Sequence, residues 1–353
     1  MIPLRFGIIG AGGISAILHL PEIGASDQME VVLVSGRKAE RLQRVCDEFD
    51  VPRWTQSYED VLSDPQVDAV IIATPHPLHV SWGIKALEAG KHVLMQKPLC
   101  GDLSEADAFV SAVEESDRTV LCMPHFPPHV YDLQARCAAG EIGRVSGARC
   151  RTSHGGPEVY YTGVRRVFDE EDEGLWFFDA SQASVGALFD MGVYAVASLV
   201  AILGSARRVT ALTTTFDKPT QLEDNAVLVM EMAEGALVTA ETSWCDPARS
   251  RELSLHGTSG KFTMPGTDGA PLSRWTPTSY TDERAPVATQ AIDSGAGMGN
   301  VHEHFLDCVR RGTQPSHSHV WAARHVTEIM LAGMAADRDG RAIELKTSAQ
   351  REE

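Results

Sequence analysis

Positive charge is scarce in this 353-residue chain: 31 Lys and Arg stand against 48 Asp and Glu, a formal net charge of −17. That balance excludes nucleic acid as a partner, because binding a phosphate backbone takes a concentrated basic face. A local basic pocket for one small phosphate stays open. Long hydrophobic runs are missing too; none reaches the roughly 20 residues of a membrane span. The seven cysteines (Cys46, Cys100, Cys122, Cys137, Cys150, Cys245 and Cys308) are odd in number, and none forms a C-x-x-C pair. They read as reduced, buried thiols rather than a disulfide frame. The start, Met1-Ile2-Pro3-Leu4-Arg5, enters a strand with no charged leader or cleavage site, so a cytoplasmic protein is expected. Thirteen histidines do not make a metal site. His302 and His304 lie two apart on a predicted helix and so point to different sides. His317-Ser318-His319 has no companion motif, and a metal needs three or four converging ligands. No bound metal is expected.

What the chain does contain is alternation. Apolar runs at residues 6–9, 30–34, 68–74, 91–95 and 119–122 read as strands. Helical spacing follows residue 37 and recurs at 79–89 and 104–115. Strand–helix alternation with short links predicts a doubly wound parallel sheet over residues 1–123. Pro124, Pro127 and Pro128 then punctuate the chain. Beyond them, residues 207–216, 226–231 and 236–243 alternate as antiparallel strands, with a hairpin turn at Ala233-Glu234-Gly235. Helices at 188–203 and 301–311 flank them, and residues 267–300, rich in Gly, Pro, Ser and Thr, read as a long loop. The expected fold class is therefore α/β: a Rossmann-type domain over 1–123, then an α+β domain over 124–353 with a large, open, mostly antiparallel sheet. No internal repeat is present.

Gly10, Gly12 and Ser15 occupy the glycine positions of G-x-G-x-x-G, just after a strand and before a helix. There the first glycine permits a tight turn and the second lets the backbone approach a pyrophosphate. The following amides, at Gly13 and Ile14, face the phosphates. An acidic residue ending the second strand would hold the ribose hydroxyls of NAD. This chain has Ser35-Gly36-Arg37-Lys38 instead, a hydroxyl and two cations suited to a 2′-phosphate. NADP(H) is the expected cofactor, with NAD(H) second.

Three segments carry a specific resemblance. They are Ala73-Thr74-Pro75-His76-Pro77-Leu78-His79, the run Gly90-Lys91-His92-Val93-Leu94-Met95-Gln96-Lys97-Pro98, and Gly186-Ala187-Leu188-Phe189-Asp190-Met191-Gly192-Val193-Tyr194. With Ala139-Gly140-Glu141-Ile142-Gly143 and the helix around His304, they resemble, nearly end to end, the glucose-fructose oxidoreductase, inositol dehydrogenase and MocA-like family. The resemblance implies an enzyme moving hydride between a nicotinamide and a carbinol carbon of a sugar, cyclitol or cyclic diol, with a broad second-domain sheet that serves oligomer contacts. The alternating face of residues 207–243 predicts a homodimer or homotetramer. It adds Thr74, Pro75, His76, His79 and Gln96 to the cofactor contacts. It implies that Lys97 binds the nicotinamide ribose and the reacting hydroxyl. The family's Glu-Lys-Pro is Gln96-Lys97-Pro98 here, so the ammonium loses a carboxylate neighbour. Tyr194, where many members carry histidine, is implied as proton donor or acceptor, with Asp190 orienting the substrate. His125 and Trp176 are implied substrate contacts. Two other classes share the fold: dinucleotide-sensing regulators and glycoside hydrolases that use NAD only transiently. Lys97 together with Tyr194 favours the oxidoreductase; an unchanged cofactor balance after glycoside cleavage would mark the hydrolase.

Overall fold

The computed structural model describes residues 2–168, 176–183, 185–264, 272–275, 288–290 and 299–351. The chain forms two compact units. The first comprises Met1–His125, Pro157–Ser184 and Gly299–Arg324; the second comprises Phe126–Gly156, Val185–Met298 and His325–Glu353. A single cut after residue 123 therefore describes the chain incompletely. Two later segments return to the first unit because their apolar side chains belong to its core: Phe168, Val301, Phe305 and Leu306 pack with Phe6, Ile8, Val34 and Ile71.

In the first unit, β1 (Leu4–Ile9), β2 (Met29–Ser35), β3 (Trp54–Thr55), β4 (Ala69–Ile72), β5 (His92–Met95) and β6 (Val120–Cys122) form one sheet of order β3-β2-β1-β4-β5-β6. Every pair is parallel. This is the doubly wound order whose reversal between β1 and β4 opens a crevice at the carboxyl ends. All four residues of β4 are buried, as expected of a central strand covered on both faces. Asp102 caps the helix Leu103–Glu114 through the N–H groups of Ser104 and Glu105. Asn300 and Glu303 form a capping box for Val301–Arg311.

The second unit holds β7 (Val145–Ser153), β8 (Ala206–Thr214), β9 (Asn225–Met232), β10 (Leu237–Ser243), β11 (Ser250–Gly257), β12 (Gly260–Met264), β13 (Leu272–Trp275), β14 (Ala288–Gln290) and β15 (Ile343–Glu344). Among the described residues these make a nine-stranded sheet, β14-β13-β12-β11-β7-β10-β9-β8-β15. Only β7 with β10 is parallel there. The predicted hairpin is present: β9 and β10 pair antiparallel around Gly235, whose φ is 86°. The stretch read as a loop, 267–300, instead contributes β13 and β14; its other residues up to 298 lie outside the described ones. Residues of β8, β9 and β10 alternate. Val209, Ala211, Leu228, Met230 and Val238 bury against the helix Val193–Leu203 and against Val326, Ile329 and Met330. Leu212, Val227, Val229 and Leu237 point the other way and are exposed. Seen from sequence, the helices Pro128–Ala138 and Val320–Asp339 and the strand β7 are additions.

Candidate active site

The expected cofactor residues gather at the carboxyl edge of the first sheet. After β1 the chain turns at Gly10, whose φ of 97° and whose contact with the backbone just after β4 both demand glycine. A Cβ there would lie 2.6 Å from the Ala73 carbonyl. At Gly12 a Cβ would meet nothing within 4 Å, so the backbone faces open space. The Ser15 hydroxyl donates to the Gly10 carbonyl at 2.9 Å and fastens the turn to the helical segment behind it. That segment opens as a π-helical turn, Ser15–His19, and continues as Leu20–Gly24. Opposite, the buried Thr74 hydroxyl has no hydrogen-bond partner among the described residues. Buried hydroxyls are ordinarily satisfied, so an orphan at the rim of an open glycine turn fits a polar ligand there. The loop as built suits a dinucleotide's pyrophosphate.

The end of β2 separates its candidates. Ser35 is fully buried, and its hydroxyl donates to the Ile8 carbonyl at 2.9 Å. Its expected part in cofactor binding is thereby corrected: the hydroxyl braces β1 against β2 rather than facing the rim. Gly36 is buried against Leu42, and Arg37 and Lys38 are exposed.

After β4, Pro75 leads into the turn His76–Leu78. His76 is buried and packs on Trp176, ring centroids 6.0 Å apart. Trp176 in turn lies 4.1 Å from Phe177. The implied substrate contact Trp176 thus belongs to the first unit's aromatic cluster. His79 is wholly buried, with Nδ1 2.8 Å from the Pro98 carbonyl and Nε2 2.9 Å from the Thr74 carbonyl. It staples the loops after β4 and β5 together. Burial lowers its pKa, while the two carbonyls act in the opposite sense. Lys97 follows β5 after one intervening residue, Gln96, and is half-buried. Its backbone N–H donates to the Gln96 side-chain oxygen at 2.8 Å. His125 puts Nε2 3.0 Å from the Gly299 carbonyl and packs on His304. Burial pulls its pKa down.

Asp190 and Tyr194 lie in the second unit. Asp190 sits in a π-helical turn, Leu188–Gly192, that opens the helix Val193–Leu203. Such turns recur at functional sites. Glu223 holds the start of this element, its Oε1 accepting from the N–H groups of Gly186 and Leu188 at 3.0 and 3.2 Å. Burial raises the Glu223 pKa. A Cβ on Gly186 would strike the Glu223 carbonyl oxygen at 2.2 Å, so glycine is obligatory.

Two residues that sequence reasoning missed converge on Asp190. The fully buried Trp244 donates from Nε1 to Oδ2 at 2.9 Å. His154 Nε2 lies 3.4 Å from the same oxygen. The Gly156 N–H donates to His154 Nδ1 at 2.9 Å, so that nitrogen is bare and Nε2 carries the proton toward the carboxylate. Tyr194 is half-buried at the edge of the second core, with the Arg251 guanidinium 5.5 Å from its ring centre. No group of three or more His, Cys, Asp or Glu suited to a metal occurs among the described residues. There too, no helix is long and apolar enough to cross a membrane.

Comparison with known proteins agrees with this architecture. Residues 4–123 match the profile described as "Oxidoreductase family, NAD-binding Rossmann fold", and residues 130–263 match the GFO/IDH/MocA C-terminal domain. A D-xylose 1-dehydrogenase (NADP(+)) of Haloferax volcanii is 29% identical over 315 residues, covering 88% of this chain and 91% of that protein. A trans-1,2-dihydrobenzene-1,2-diol dehydrogenase of Danio rerio is 27% identical over 337 residues, 89% and 90% of the two chains. Among solved structures, a levoglucosan dehydrogenase in complex with NADH and L-sorbose superposes with a TM-score of 0.81 at 19% identity, covering 98% of this chain and 99% of that one. With an NAD(P)-binding Rossmann domain followed by the matching C-terminal domain, the chain belongs to the GFO/IDH/MocA oxidoreductase family.

Proposed function

We propose that this oxidoreductase uses NADP(H) in preference to NAD(H) and moves hydride to or from a carbinol or carbonyl carbon of a sugar, cyclitol or cyclic diol. The observation that carries the cofactor preference is the end of β2. No carboxylate stands there to bind ribose hydroxyls or repel a phosphate, and Arg37 and Lys38 are exposed beside a buried Gly36. The substrate class draws on the xylose and dihydrobenzenediol dehydrogenases named above, both similar over about nine-tenths of their length.

Bound nicotinamide supplies the hydride acceptor or donor; everything else falls to the chain. Lys97 donates from its ammonium to the reacting oxygen and stabilises the charge that develops there as the proton leaves. Tyr194 accepts that proton in oxidation and returns it in reduction. Asp190, held by Trp244 and His154, accepts a hydrogen bond from a substrate hydroxyl and fixes its orientation. Trp176, beside His76, and His125 are proposed as walls of the substrate pocket.

The enzyme is proposed to work in the cytoplasm as a homodimer or homotetramer. All seven cysteines are free, which suits a reducing compartment. The outward apolar row Leu212, Val227, Val229 and Leu237 suits burial against a second copy. The test is a screen of aldoses, inositols, keto sugars and cyclic diols, following reduced-nicotinamide absorbance with each cofactor. Turnover with NADP(H) on one of these classes is expected; no turnover on any of them, or equal use of NAD(H), would overturn the assignment.

A further inference from the structure

The side chain beside Lys97 leads into the protein rather than toward solvent. Gln96 is buried, and its Oε1 accepts from the Lys97 N–H. Its Nε2 is therefore the donor turned toward His19 Nε2, at 3.2 Å. That ring nitrogen must be bare, so the His19 proton sits on Nδ1, which lies 2.8 Å from His302 Nε2. The same constraint passes on. His302 accepts at Nε2 and donates from Nδ1 to Glu22 Oε2 at 2.9 Å. His19 and His302 are wholly buried, and the Glu22 carboxylate, 30% exposed, ends the chain at water.

Each donor along this path meets one acceptor. Burial, and then the neighbouring His302, hold the His19 pKa well below the imidazole range. Phe6 packs at right angles to His302, ring centroids 6.4 Å apart, and His125 is a titratable ring that senses both His302 and Glu22. His19 and Glu22 lie on the helical segment that follows the glycine turn, three apart and so on one face. His302 comes from the helix Val301–Arg311, and Gln96 from the end of β5. The path thus ties the cofactor-turn helix to the loop carrying Lys97.

We propose that Glu22, His302, His19 and Gln96 form a one-directional hydrogen-bond chain that positions Lys97, and that an amide stands at 96 because the chain needs a donor there. This rests on the role given to Lys97 above. A carboxylate at 96 would face the bare His19 nitrogen, and two adjustments could relieve the clash. The chain could reverse, turning a His302 lone pair against the Glu22 carboxylate, or a buried imidazolium could form. Both cost free energy in a dry interior.

The experiment is ¹⁵N NMR of the full chain labelled at histidine, with signals assigned by their loss in His19→Gln and His302→Gln. Both rings should be protonated on Nδ1 and bare on Nε2. An Nε2-protonated or charged ring in the unaltered protein would overturn the chain, whether or not any variant folds. In Gln96→Glu, His19 should gain a proton on Nε2, and turnover of D-xylose with NADP⁺ should fall about ten- to a hundredfold through misplacement of Lys97. Glu22→Gln keeps an oxygen to accept from His302 Nδ1 and should retain both tautomers. Full turnover in Gln96→Glu alongside a switched tautomer would refute positioning. Lys97→Met separates the two ideas: it should abolish turnover while leaving both tautomers as they are. Retained turnover in that variant would sink the role of Lys97 and leave the chain standing.

Discussion

Removing the Arg37 guanidinium is the sharpest test of cofactor choice. The side chain is exposed at the end of β2, and its backbone is held independently: the Gln56 amide donates to the Arg37 carbonyl at 2.8 Å. Alanine therefore leaves the loop in place and deletes only the charge. A hydrogen bond to a charged group contributes about 1.5–3 kcal/mol. Exposure places this one at the lower end, because solvent and salt screen it. About 1.5 kcal/mol corresponds to roughly a tenfold weaker Kd for NADPH. NADH lacks the 2′-phosphate and should change less than about twofold, within the scatter of surface substitutions. Lys38→Ala should add to the loss less than independently, since neighbouring cations share one phosphate. Calorimetric titrations at about 50 and about 300 mM salt supply the second readout. The gap between NADPH and NADH should narrow at high salt as the Debye length shrinks. Equal loss for both cofactors, or a gap indifferent to salt, would refute the reasoning.

The remaining expectations concern structure, chemistry and assembly. Ser35→Ala deletes a buried bond to the Ile8 carbonyl and should cost about 1 kcal/mol in urea unfolding. NADPH affinity should stay unchanged; a loss matching that of Arg37→Ala would mean the hydroxyl does reach the phosphate. Tyr194→Phe keeps the ring and removes the proton carrier, so kcat should fall about 10²–10⁴-fold with cofactor affinity intact; full activity would move the proton elsewhere, with His125 next in line. Asp190→Asn should show a smaller loss, since it orients rather than titrates. Light scattering at micromolar concentration should find a dimer or tetramer, and a monomer would contradict the reading of the outward row Leu212, Val227, Val229 and Leu237.

The first sheet was readable because its signals are local. A buried parallel strand is a short apolar run, as in residues 69–72, and each is followed within a few residues by helical spacing. The glycine turn declared itself by position, and the structure adds why Gly10 is irreplaceable: the Ala73 carbonyl sits where a Cβ would go. Less was readable where the chain returns. Nothing in the local pattern of residues 157–168 or 301–311 says that Phe168 and Phe305 bury beside Phe6; an amphipathic face announces burial but not its partner. The same limit hid β13 and β14, whose three or four residues lie in a stretch of turn-forming composition. Ser35 failed for another reason. A hydroxyl beside two cations has a binding signature, yet a seryl side chain on a strand alternates inward or outward, and here it turns inward.

In the second unit the residues around Asp190 were hidden by topology. The carboxylate itself was readable from the motif in its helix, but neither of its donors is near it in sequence. They meet because β7 and β10 run parallel, the sole parallel pair among the described strands of that sheet. Parallel pairing sets the ends of both strands at one edge. The residue after β7, His154, donates its backbone N–H to Ser243, the last residue of β10, at 3.1 Å. Trp244 follows immediately, its own N–H held by the Asp224 carbonyl at 2.7 Å. Asp224 adjoins Glu223, which fixes the start of the helical element carrying Asp190. One strand crossing thus supplies both donors, and the loop before β9 supplies the carboxylate's footing. An antiparallel β7–β10 pair would have put His154 and Trp244 at opposite ends of the sheet. The position of Asp190 is written in its helix; what holds its carboxylate is written in the order of the strands.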